Sequence, residues 1–210
     1  MKIIFQLLKL LAPLLFAAVS MSAANFSFTG SFTTDDQEQI FDLSLTSATT
    51  VTFETLSYGG GTNAAGTVIP SGGFDPRLTW FQSDGTEIGS NGGPYCGSNG
   101  SFLGACNDAY FQGTLAAGSY FLALTQDGND PNGDLSAGFS EQGNPNFTAN
   151  GLCNQFCDSL SGNELAGTWA VDILGVNSAN PATVVPEPAT ISLTGIGLSL
   201  LSLASRKRRA

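Results

Sequence analysis

Leu115-Ala116-Ala117-Gly118-Ser119-Tyr120-Phe121-Leu122-Ala123-Leu124 decides the fold class. Small residues with a glycine lead into Tyr120, Leu122 and Leu124, which stand two apart and share one face of an extended chain. The same period recurs outward from this stretch. Upstream lie Tyr110, Phe111 and Leu115, the pair Leu78 and Trp80, then Val51 and Phe53. Phe41, Leu43 and Leu45 precede those, and Phe26, Phe28 and Phe32 come first. Downstream, Trp169, Val171 and Ile173 close the series. Thr46-Ser47-Ala48-Thr49 reads as a turn. Ser83-Asp84-Gly85-Thr86 reads as a hairpin turn leading to a short strand around Ile88. Sustained helical periodicity is absent between Asn25 and Val185. About eight short strands with glycine-rich turns predict an all-β fold, an antiparallel, jelly-roll-like β-sandwich.

Two long segments lack this pattern. Residues 57–73 are rich in Gly, Ala and Thr, and residues 128–165 hold Asn, Gly, Ser and acids. A loop as long as the second is usually functional or disordered. Cys153 and Cys157 lie inside it, which predicts local order.

Charge is partitioned along the chain. Of its 7 cations and 17 acidic residues, residues 25–183 keep only Arg77 and every acid except Glu187, a balance of 1 − 16 = −15. Such a domain repels nucleic acid and anionic lipid and suits divalent cations or a hydrated, cation-rich surrounding. The bland alternative is that the charge simply keeps the protein soluble.

The ends differ from the middle. Lys2 and Lys9 flank the start of an apolar stretch, Leu7 to Val19, and Ser22-Ala23-Ala24 supplies small residues for cleavage. This predicts a secretory signal peptide over residues 1–24, cut after Ala24. At the other end, residues 184–210 combine Pro186-Glu187-Pro188, an uncharged run from Ala189 to Ala204, and Arg206-Lys207-Arg208-Arg209. The prolines hold the chain extended before the run. The run predicts a single apolar helix of roughly 24 Å. Flanking residues would extend it across a bilayer core, with the basic end cytoplasmic. Residues 25–183 remain as the folded domain.

These three tail segments, in this order, resemble the PEP-CTERM sorting signal of exported proteins in Gram-negative bacteria that make exopolysaccharide. The resemblance implies recognition by an exosortase-type membrane protease near Pro186, Glu187 and Pro188, a transient stay in the inner membrane, and loss of the tail. The middle of the chain adds a second likeness. Phe74-Asp75-Pro76 followed by Leu78 and Trp80, the Asp84-Gly85 turn, Asn107-Asp108 and the Leu115–Leu124 stretch is similar to PEP-CTERM proteins marked by a Phe-Asp-Pro box. The order also resembles bacterial pre-peptidase C-terminal domains, β-sandwiches associated with binding. The long insert departs from that compact pattern.

Export makes disulfides permissible, and four cysteines allow three connectivities. Neighbouring pairs, Cys96–Cys106 and Cys153–Cys157, each staple a Gly/Asn-rich excursion and are the expected pairing. A four-cysteine zinc site is the competing reading and fits an exported protein poorly.

The sequence contains no histidine, which excludes Ser-His-Asp and Cys-His catalysis. It has neither a Gly-x-Ser-x-Gly elbow nor a phosphate loop. Each glutamate of the domain stands isolated, so paired-carboxylate hydrolysis has no local signature. One candidate metal site stands out. Asp130, Asn132 and Asp134, spaced i, i+2 and i+4 in a turn, could converge on calcium, with Glu141 twelfth from Asp130. Leu135 occupies the position where an EF-hand loop needs glycine. The same residues are also ordinary turn material. Trp80 and Trp169 could stack on sugar rings, although at strand spacing they belong more naturally to the core. The sequence therefore points to a non-enzymatic exported envelope or matrix protein associated with exopolysaccharide. A carbohydrate-binding module is the alternative and a secreted hydrolase the third reading. Exposed aromatics would favour the module, and a buried aromatic set the matrix protein.

Overall fold

The computed structural model describes residues 22–93, 107–158 and 161–182. The expected apolar leader, the Cys96–Cys106 pair, the Pro-Glu-Pro box, the C-terminal apolar helix and the basic tail lie outside these residues. Among the described residues no helix is long and apolar enough to cross a membrane.

Among the described residues there are eleven strands, paired antiparallel. One sheet holds β1 (Ala24–Ser31), β10 (Thr168–Val176), β3 (Thr49–Thr55) and β8 (Tyr110–Leu115), in that order. The other holds β11 (Ser178–Pro181), β2 (Glu38–Leu45), β9 (Gly118–Gln126), β6 (Pro76–Gln82) and β7 (Glu87–Asn91). A small hairpin, β4 (Gly61–Thr62) with β5 (Val68–Ile69), stands apart. Leaving out β4, β5 and β11, the first of the eight main strands pairs with the last, the second with the seventh, the third with the sixth, and the fourth with the fifth. This nested pairing across two sheets is a jelly roll. The strands read from the sequence are all present, and Ala24, the expected last residue of the leader, opens β1 opposite Val176.

Period-2 residues fill the space between the sheets. Phe41, Val51, Phe53, Leu78, Leu122, Leu124, Val171 and Ile173 are fully buried there. Burying each large side chain contributes about 1.5–3 kcal/mol. The β6–β7 hairpin turns at Gly85, whose φ of +91° favours glycine, and Thr86 N–H donates to Asp84 Oδ1 at 3.0 Å.

Two features depart from the simple pattern. β9 is apolar on both faces. Its Ala123 and Phe121 pack outward with Ile40 and Phe81 under Phe139 and Leu135 of the long loop. That loop is therefore a cover for the outer face of the second sheet. In addition, β11 carries a proline and no alternation, yet it pairs with β2 from Ser178↔Ser44 to Pro181↔Phe41. Proline is tolerated there because β11 is an edge strand.

Candidate functional site

The Phe-Asp-Pro box splits its residues between core and corner. Phe74 is fully buried and stacks on Phe32 at 5.3 Å and on Phe156 at 5.5 Å. Pro76 opens β6 opposite Gln126. Asp75 lies between them, 4% exposed. Its Oδ2 accepts from Asn107 Nδ2 at 2.9 Å, its main-chain carbonyl accepts from Asp127 N–H at 2.8 Å, and its Oδ1 has no partner.

Further acids surround this carboxyl. Asp108, fully buried, accepts from Thr55 Oγ1 at 2.9 Å and from the main-chain N–H groups of Tyr58 and Gly59. It thereby fixes the turn that follows β3. Asp158, also buried, accepts from Ser161 N and Oγ and hydrogen-bonds the Tyr58 phenol. Burial, then the charge of Asp127, with Asp158 and Asp108 adding to it, pushes the Asp75 carboxyl up to about 7 against the opposing Asn107 hydrogen bond. Burial, followed by the charge and hydrogen bond of Asp158, pushes the Tyr58 phenol up to about 12. Burial likewise raises Asp108. The Asp75 carboxyl thus titrates close to neutral pH, well above the usual carboxylate range.

Arg77 borders this corner and draws in the acids of the long loop. Its Nε lies 3.2 Å from Asp127 Oδ1 and 2.6 Å from Asp130 Oδ1, and its Nη1 donates to Ser90 Oγ at 3.3 Å. The candidate calcium residues are consequently drawn to different partners. Asp130 serves Arg77, Asn132 N–H donates to the Gly138 carbonyl at 2.9 Å, and Asp134 precedes the 3-10 turn Leu135–Ala137 without a side-chain cap. Among the described residues no group of three or more acidic, cysteine or histidine side chains is placed to hold a metal ion.

The long loop is built rather than loose. Cys153 and Cys157 are joined as a disulfide. Between them Phe156 takes a φ of +48° and enters the core against Phe74. The bridge closes the short turn that presents this ring. The strongest anchor was missed by sequence reasoning. Asp35, fully buried, accepts from the N–H groups of Asn146, Phe147 and Thr148 and from Thr148 Oγ1. More than a hundred residues separate it from these donors, so no local motif could have shown it.

Both tryptophans are buried. Trp80 packs 4.1 Å from Phe111, and Trp169 lies against Phe32 and Phe41. The large exposed hydrophobics among the described residues are Val68, Ile88 and Leu152, with no aromatic. A second carboxylate pair, Glu54 and Asp172, faces across β3 and β10. The small hairpin roofs it, because Asp172 accepts from Ser27 Oγ and Ala64 N–H, both at 2.6 Å. One cleft has Asp42 in its lining beside Ser44, Ser178 and Asn180.

The described residues thus form a jelly-roll domain in which Asp35, Asp108 and Asp172 serve as anchors, and the sorting tail follows it in sequence. Residues 184–209 match the PEP-CTERM protein-sorting motif, so this is an exported protein sorted by an exosortase system through a membrane-associated C-terminal signal. No curated protein matches the sequence. Among solved structures, the chain is similar to the pre-peptidase C-terminal domain of collagenase from Bacillus anthracis. The two share 10% identity with a TM-score of 0.35, over 75% of this chain and 90% of that one.

Proposed function

We propose that this protein is a non-enzymatic component of the exopolysaccharide matrix of a Gram-negative bacterium, released to the cell surface when an exosortase-type membrane protease removes its tail near Pro186-Glu187-Pro188. The observation that carries this reading is the sorting motif attached to a domain in which buried Asp35, Asp108 and Asp172 hold loops and strands together. Support also comes from the lack of histidine, which removes His-based catalysis. The buried aromatics favour a matrix protein over a module that stacks glycans on an exposed face. A strongly acidic domain suits a hydrated matrix bridged by cations.

Mass spectrometry of the protein from its native host tests the sorting step. The mature C-terminus is expected near Pro186 to Pro188, and Glu187→Ala is expected to leave the precursor in the inner membrane. Recovery of surface-exposed protein still ending in Arg206-Lys207-Arg208-Arg209 would refute the release. Matrix fractionation tests the destination, since a protein found only in the free medium is no matrix component.

A further inference from the structure

A cleft of about 470 Å3 opens where β1, the start of β10 and the end of the small hairpin meet. Ser57, Ile69 and Trp169 form its buried floor, and the hydroxyl-bearing Thr29, Ser71 and Thr168 form its exposed rim. Its size lies within the range of roughly 300–1,000 Å3 common for small-molecule sites. Among the described residues no ionisable side chain lines it.

Two polar atoms of this floor have no partner within the protein, Ser57 Oγ and Trp169 Nε1. Their residues are 2% and 8% exposed. Native interiors leave few such atoms unsatisfied, because each has given up water without compensation. Gly30 lets the indole of Trp169 lie against β1. It pairs with Trp169 across β1 and β10 and also lines the cleft. A Cβ at Gly30 would overlap Trp169 Cζ2 and Cε2, and Cε2 is the atom bonded to Nε1. The indole itself fills the space that a side chain at position 30 would take.

We infer that this cleft binds a neutral saccharide unit of the matrix polymer, with Trp169 Nε1 donating to a sugar oxygen and Ser57 Oγ exchanging a hydrogen bond with a neighbouring hydroxyl. The inference rests on the reading of the protein as matrix-associated. Indole N–H is a donor only, so the ligand must bring an acceptor. A purely apolar ligand would leave both buried atoms unpaired. An anionic one would find no cation in the cleft and a strongly negative domain around it. A neutral sugar ring supplies hydroxyls for the floor and rim and a C–H face for Ile69. This is insertion into a cleft, distinct from stacking on an exposed aromatic surface.

The test uses the processed protein, labelled with 15N and purified from its host. The probe is the set of neutral oligosaccharides released from the host's own exopolysaccharide by partial hydrolysis. The chain has two indole N–H resonances, and Trp169→Phe identifies which belongs to the cleft. Saturation with the oligosaccharides is expected to shift the Trp169 resonance and leave that of Trp80 in place. Ser57→Ala, which removes one hydroxyl, is expected to weaken binding on the order of tenfold with the other resonances unchanged. An unmoved Trp169 resonance in a protein recovered from the matrix would overturn the cleft assignment and leave the matrix reading standing. Absence of the protein from the matrix would instead defeat that reading. A shift caused by trialanine and by no oligosaccharide would make the ligand a peptide and overturn the saccharide. Binding that ignores Ser57→Ala would remove the assigned contact.

Discussion

Asp35 and Asp75 are both buried carboxylates, 0% and 4% exposed, and the fold treats them in opposite ways. Asp35 receives three main-chain N–H groups and a hydroxyl from the long loop. Asp75 receives one Asn107 amide, keeps an oxygen without a partner, and faces the charges of Asp127, Asp158 and Asp108. Burial is therefore a poor guide to what a carboxylate contributes. Donors decide the sign, because a buried charge costs several kcal/mol unless hydrogen bonds or an opposite charge replace its water. Asp35 acts as a rivet and Asp75 holds a proton.

Removing the rivet should have the largest effect. Asp35→Ala strands three N–H groups and unfastens the cover from the second sheet. A loss of about 3 kcal/mol is expected by chemical denaturation. Hydrogen exchange should rise across residues 139–158 before it rises in β9. A loss below about 1 kcal/mol would show that other contacts hold the loop and would dissolve the contrast with Asp75.

The disulfide comes next. Replacing Cys153 and Cys157 with serine opens a short loop, and the chain-entropy estimate gives a loss of about 2 kcal/mol. The jelly roll is expected to survive. Phe156 should lose its fixed packing on Phe74, visible as averaged ring resonances. Global unfolding of this variant would mean that the bridge, and not Asp35, is the main anchor of the loop.

Asp75 should give the smallest effect, with the opposite sign. In an unfolded chain a carboxyl titrates near 4, whereas folded Asp75 is held at about 7. Below pH 4 both states carry the proton, so pH has no effect through this group. Between roughly 4 and 7 only the folded state keeps it, and stability falls as pH rises. Glu38, Glu54 and Asp108 are raised as well, chiefly by burial, and act in the same direction. Asp75→Asn is expected to flatten the decline between pH 4 and 7. At pH 7.5 it should add about 1 kcal/mol. An unchanged slope of Tm against pH would show that Asp75 is ionised throughout and that its burial is compensated.

The acid-rich loop shows how far local reading reaches. Asp130, Asn132 and Asp134 stand two residues apart, and their spacing suggests one shared cation. Arg77, fifty residues before Asp127, lies against both Asp127 and Asp130. A sequence window sees the spacing of ligands along the chain. The partner that satisfies them can come from any strand that folds alongside.

The sequence by itself determined the sandwich, its main strands, the Cys153–Cys157 bridge and the sorting tail. All of these rest on short-range signals: a two-residue period, glycine turns, cysteine spacing and the order of tail segments. Tertiary structure alone decided that the long loop covers β9, that Ser178–Pro181 forms a strand on β2, and that Asp35 binds residues 146–148. It also left Ser57 and Trp169 with unpaired polar atoms in one cleft. The reason is physical. A backbone period follows from which face of a strand is buried, and neighbouring residues carry that information. The partner of a buried polar group is set by which distant segments the jelly roll brings together, and no neighbouring residue carries it.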